Sequence, residues 1–172
     1  MPNADSELAA VFLASTRKTL LDQFWPRIKT CVEHMTVEQV WWRPNPASNS
    51  IGNLVLHLNG NVNQWLIASF SKSEDQRNRP AEFAAQGGLT AAELLSRLGA
   101  TMSEVEKVLS RITVEELLAT YKIQAYEVRG LDAIYHATEH FGLHYGQIAY
   151  ITKSLEGKDL GFYRELNKTG RA

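Results

Sequence analysis

One cysteine, Cys31, stands among 172 residues. That excludes an intrachain disulfide and any metal cluster built on cysteine ligands. Cys31 falls within an apolar helical pattern and reads as a small core residue rather than a nucleophile. No apolar run approaches the roughly 18 residues that a membrane-spanning helix needs. Neither sign of charge is in excess: 18 basic against 19 acidic residues leave a net charge of −1. Nothing in that balance favours nucleic acid or anionic lipid as a partner. The N-terminal stretch as far as Thr19 carries charges on both sides of a short apolar run, unlike a signal peptide. These absences leave a cytoplasmic protein acting on a small molecule as the expectation.

Hydrophobic residues make up 44% and charged residues 22% of the chain, as in ordinary globular proteins. The length suits a single domain over residues 1–172. Four stretches carry helical periodicity. The first runs from about Ser6 to Met35, with Pro26 predicting a kink or a break inside it. Thr36 to Gln39 forms a capping box that opens a short helical turn, closed by Pro44 and Pro46. The second long helix starts after Ser50 and runs to about Phe70, with Ile51, Leu54, Val55, Leu58, Val62, Trp65 and Leu66 on one face. Residues 71–88 are polar, contain Pro80 and Gly87-Gly88, and read as a long connection. Thr90 to Glu93 is a second capping box and opens a helix through Leu109. Thr113 to Glu116 opens a short segment, and Thr120 to Val128 alternates weakly, as an extended stretch would. The last long helix runs from about Leu131 to Glu156 and stops at Gly157. The tail from Asp159 onward carries Phe162 and Tyr163, expected to tuck against the body. Four long helices with one long connection predict an all-α four-helix bundle.

Three of the five histidines, His136, His140 and His144, form an i, i+4, i+8 row. Each four-residue step rises about 6 Å and drifts about 40° around the helix. Two nitrogens on one ion lie within roughly 4 Å of each other. Neighbours in the row meet that limit, but His136 and His144 do not, so a single ion takes one pair and leaves the third histidine out. Helix geometry leaves both pairs open. His57, amid Leu54, Val55, Leu58 and Val62, points inward and is the candidate third ligand from a facing helix. A buried imidazole without a partner is costly, whereas one bound to a metal and hydrogen-bonded at its other nitrogen is satisfied. His34, at the end of the first helix, reads as a partly exposed complement to the helix dipole.

The segment His140-Phe-Gly-Leu-His144-Tyr-Gly-Gln147 resembles the His-x-x-x-His-x-Gly-Gln segment on the last core helix of the DinB/YfiT-like superfamily. That superfamily also carries a histidine after a segment such as Ser50-Ile-Gly-Asn-Leu-Val-Leu-His57. Trp41-Trp42-Arg43-Pro44, Asn59-Gly60-Asn61, Arg77 to Phe83 and Gly161 to Arg164 extend the resemblance to an uncharacterised branch, over most of the chain. The resemblance implies an up-down-down-up four-helix bundle that holds a divalent metal, usually nickel or zinc. Carried over by motif, the ligands are His57, His140 and His144, with His136 left to the second layer or the pocket wall. Characterised relatives include isomerases and S-transferases that use low-molecular-weight thiols. The habit of the family, with exposed apolar residues on the helices, implies a homodimer.

Asn61 and Gln64, one and two turns after His57, are candidates for the same cavity. Gln147, on nearly the same face as His140 and His144, is placed to hydrogen-bond a ligating imidazole or orient a water. Glu139 reads as surface rather than as a general base. Arg77, Arg79 and Glu82 read either as solvated loop charges or as residues that act over the pocket or pin the loop. Trp41, Trp42 and Trp65 read as core or interface anchors. Two functions follow. The first is a metal-dependent hydrolase or thiol-dependent transferase with an open coordination position. The second is a non-catalytic, stress-related bundle whose ion ties two helices together, which needs a fourth protein ligand such as His136 or Gln147.

Overall fold

A computed structural model describes residues 4–164. Among the described residues, seven helices and one hairpin surround a hydrophobic core. The first helix, α1 (residues 4–32), is α-helical over Ala4–Arg17 and Trp25–Val32, with a π-helical stretch at Lys18–Phe24 between them. The chain therefore runs through Pro26 without a break. Pro26 lies at the start of the Trp25–Val32 segment, where a missing N–H is tolerated. Just before it the wider π spacing is in force, with the Trp25 N–H reaching back to the Leu20 carbonyl.

Val37–Trp41 (α2) is opened by the Thr36–Gln39 capping box. The third helix, α3 (residues 51–71), is opened by a second capping box in which Ser50 and Asn53 bond reciprocally. It is α-helical over Ile51–Val62 and π-helical over Asn63–Ala68, and it ends at Lys72, whose φ of 52° stops the helix. The long connection holds a helix of its own, α4 (Arg79–Ala84), capped by Asn78 with Pro80 in its first turn. Then come α5 (Ala91–Arg111), α6 (Val114–Leu118) and α7 (Gly130–Glu156). The weakly alternating stretch is an antiparallel hairpin, β1 (Thr120–Ile123) and β2 (Tyr126–Arg129), with Thr120 opposite Arg129 and Ile123 opposite Tyr126. Gln124, at φ 56°, makes its turn.

The four long helices α1, α3, α5 and α7 pack against one another. Leu20, Ile28, Leu54, Leu58, Leu98, Met102, Ile134 and Phe141 are fully buried between them. Cys31 is buried with them, and burial pushes its thiol up to about 11, which leaves it unreactive. Trp41 donates to the Leu89 carbonyl at 2.8 Å, whereas Trp42 is exposed and anchors no core. Phe162 packs on the core, and the Arg27 guanidinium lies over the rings of Tyr145, Phe162 and Tyr163. The expected tail beyond Arg164 lies outside the described residues. His34 is exposed at the end of α1. Among the described residues, no helix is long and apolar enough to cross a membrane.

Candidate metal centre

α3 carries His57, and the facing helix α7 carries His140 and His144. The ligand atoms these three offer all lie within 4.8 Å of one another. His140 Nε2 stands 3.1 Å from His57 Nε2 and 3.2 Å from His144 Nε2. His136 lies outside this trio. Its ring packs against Trp65 with centroids 4.0 Å apart and faces the cavity beside the site.

The second nitrogens decide what the first ones present. His57 Nδ1 is 2.8 Å from Glu82 Oε2. An ionised carboxylate only accepts, so Nδ1 carries the proton and Nε2 turns a lone pair toward the other histidines. His144 Nδ1 donates to Gln147 Oε1 at 2.7 Å, which leaves its Nε2 unprotonated in the same way. Two lone pairs thus face His140 Nε2, and a neutral His140 has one proton at most. His140 Nδ1 is buried with no hydrogen-bond partner. Placing the proton on Nε2 satisfies one neighbour and leaves the other lone pair unmet. Placing it on Nδ1 turns three lone pairs to one point. A cation at that point satisfies all three, and no rearrangement of protons does.

Protonation offers no way out. Burial, followed by the neighbouring His144 and His57, pushes His140 down to about 3. His144 is also lowered, by burial first, against the opposing hydrogen bond to Gln147. His140 and His144 are therefore neutral at neutral pH, and these two donors need not lose protons before they bind an ion.

Behind His57 stands a buried ion pair. Arg77 Nε donates to Glu82 Oε1 at 2.8 Å, and Arg77 Nη2 donates to Glu82 Oε2 at 3.0 Å. Burial acts to raise the Glu82 carboxyl, but the bonds from His57 and Arg77 outweigh it and hold the group below its ordinary range. The loop carrying this pair is fastened to α3. Asn53 Nδ2 donates to the carbonyls of Glu82 and Ala85, and Arg43 reaches both Asn53 and the Ala85 carbonyl. The segments Trp41 to Pro44 and Ser50 to His57 are thus joined physically: one clamps the connection that delivers Glu82 to the other.

Gly60 allows the approach. A Cβ there would overlap Glu82 Oε1 and come within 2.9 Å of Arg77 Nε. Gly60→Ala should push the carboxylate off His57 and weaken the hold of the three histidines on a divalent ion by about tenfold or more. Isothermal titration with zinc, beside circular dichroism to confirm the fold, checks this; unchanged affinity would show that the Glu82 contact does not matter to the site.

A cavity of about 630 Å³ opens beside the histidines, with His57 and His140 in its wall. Asn61 and His136 line it, as do Trp65, Tyr126 and Val128. Gln64, a candidate for the same cavity by its spacing from His57, is not among the residues of its wall. Its amide is taken up behind the wall, where Oε1 accepts from Arg77 and Gln124 and Nε2 donates to Asp75. Gln64 therefore acts on the site through Arg77 and Glu82. Glu139 is exposed and does not line the cavity. The hairpin's share in the wall, through Gln124, Tyr126 and Val128, was not readable as a site, because its alternation signals a strand and nothing about what the strand covers.

A family model described as "Protein of unknown function (DUF1572)" matches residues 7–164. A comparison with curated proteins returns no match. Among solved structures, a conserved protein from Enterococcus faecalis is similar at 19% identity and a TM-score of 0.66, covering 89% of this chain and 98% of that one. A DinB-like protein from Bacillus cereus is similar at 13% identity and a TM-score of 0.64, covering 84% and 90%. At such identities the likeness is one of fold.

Proposed function

The chain belongs to the DUF1572 family and has a DinB-like, all-α fold, and from that premise we propose that it is a metal-dependent enzyme acting on a small molecule. The observation that carries this reading is the convergence of His57, His140 and His144 with two of their outer nitrogens already held. Three imidazole donors suit zinc or nickel. A divalent ion held there would supply Lewis acidity, bringing a bound water or thiol toward ionisation at neutral pH.

The protein's own residues do the rest. Glu82 fixes the tautomer and orientation of His57, and Gln147 does so for His144. Arg77 keeps Glu82 charged where burial would neutralise it. Trp65, Tyr126 and Val128 form an apolar wall that limits water around a bound substrate. Hydrolysis of an ester or amide and transfer of a low-molecular-weight thiol both use these parts. A non-catalytic ion tying α3 to α7 would call for a fourth protein ligand. Gln147 is bound to His144 Nδ1 and His136 lies apart, so the described residues supply three.

The test is metal content. Chain loaded with zinc or nickel and dialysed should keep one equivalent by elemental analysis. A chain that keeps none under conditions where it is folded would sink the reading.

A further inference from the structure

The polar groups of the cavity divide into those already engaged within the protein and those left open. Arg77 is committed to Glu82 and Gln64, and Gln124 to Gln64. Arg79, Asp132 and Asn61 line the same cavity and are not engaged in this way. Arg79 has its guanidinium over the Phe83 ring, 5.0 Å from its centroid, and makes no hydrogen bond or ion pair among the described residues. A guanidinium backed by a ring keeps its in-plane N–H edge for a planar anion, the geometry in which arginine grips a carboxylate. Asp132, in the first turn of α7, likewise has no hydrogen-bond or ion-pair partner among the described residues. The two opposite charges share one cavity without pairing to each other. Asn61 is only 3% exposed, yet its Oδ1 has no hydrogen-bond partner. A buried carbonyl in that state lacks a donor, which a ligand can bring.

We infer that the cavity takes an amino-acid-like small molecule, with its carboxylate on Arg79, its ammonium group on Asp132, and a hydrogen-bond donor for Asn61. The aromatic side of the cavity, Trp65 and Tyr126, receives the apolar part of the same molecule. Only a ligand with both charges meets all three unengaged groups. An anion alone would face Asp132 unpaired, and a cation alone would face Arg79. The inference rests on the reading of this cavity as the substrate pocket of the metal site.

The test is a matched set of probes, L-phenylalanine, 3-phenylpropionate and phenethylamine, titrated calorimetrically into the zinc-loaded chain and again after chelation. L-phenylalanine should bind best, with each single-charge probe weaker by about tenfold or more. Arg79→Gln should erase the advantage of phenylalanine over phenethylamine, and Asp132→Asn its advantage over phenylpropionate. Both positions are exposed, so both variants should fold; thermal melting checks that. Equal binding of the three probes, no binding of L-phenylalanine, or charge variants that behave as wild type would each overturn the inference. Zinc content measured on the same samples separates the two ideas. A chain that holds zinc but ignores probe charge refutes the ligand alone; a chain that keeps no zinc after loading yet discriminates charge refutes the metal alone.

Discussion

His140→Ala should abolish metal retention. His140 Nε2 is the middle donor of the three, 3.1 Å from His57 Nε2 and 3.2 Å from His144 Nε2. Without it two imidazoles from different helices remain, and neither is placed to chelate alone. His57→Ala and His144→Ala should fail in the same way, each leaving a two-nitrogen site. His136→Ala should keep a full equivalent, because that ring faces the cavity and lies outside the trio. Elemental analysis after dialysis reads all four. If His57→Ala and His144→Ala both keep stoichiometric metal, the assignment of the site is wrong. Melting adds a second readout. An ion that binds only the folded chain stabilises it by about 2.7 kcal/mol when free metal stands at 100 times its Kd. A chelator should therefore lower the melting temperature of wild type and leave that of His140→Ala unmoved.

Glu82→Ala should cost about 3–5 kcal/mol of stability, more than any surface change in this chain. The Arg77 and Glu82 side chains are only 4% and 9% exposed. Removing the carboxylate strands a buried guanidinium, leaving it only neutral neighbours, Gln64 Oε1 and His57 Nδ1. It also takes from His57 the acceptor that fixes its tautomer. Glu82→Gln keeps the shape and removes the charge, so zinc affinity should fall by about 10–100-fold. The double variant Arg77→Met/Glu82→Gln separates the two effects. With no buried charge left it should regain most of the stability, while the loss of zinc affinity persists because His57 still lacks a charged acceptor. Urea denaturation and zinc titration measure the two quantities independently. A Glu82→Ala chain with wild-type stability and wild-type affinity would show that the pair is incidental.

The chain's own pattern accounts for much of this molecule. Thr36, Ser50, Thr90 and Thr113 each open a helix as its N-cap, where a side-chain oxygen stands just before the first helical residue. Gly157, at φ 65°, ends α7 in a conformation that glycine adopts without strain. These are local interactions, closed within one turn, so they can be read along the sequence. Pro26 was a weaker guide. It marks a disturbance, but whether a helix breaks or widens into a π turn depends on what its two halves pack against. The short helix at Arg79–Ala84 had a readable signal in Asn78 and Pro80, hidden inside a stretch polar enough to pass for loop.

The histidines mark the border between the two kinds of information. Helix geometry determined that His136, His140 and His144 cannot share one ion, since rise and twist per residue are properties of any α-helix. Spacing alone could not say which neighbour His57 meets, because that depends on how α3 and α7 are set against each other. The same holds for Glu82. Its charge and its place in a polar stretch suggest solvent as readily as the interior. Asn53 and Arg43 bring its backbone onto α3, and Gly60 leaves the space its carboxylate needs. A contact between residues 25 positions apart gains nothing until both ends are folded, so no local pattern records it. Three histidines were legible along the chain; their meeting point, the acid behind one of them and the cavity in front belong to the tertiary structure.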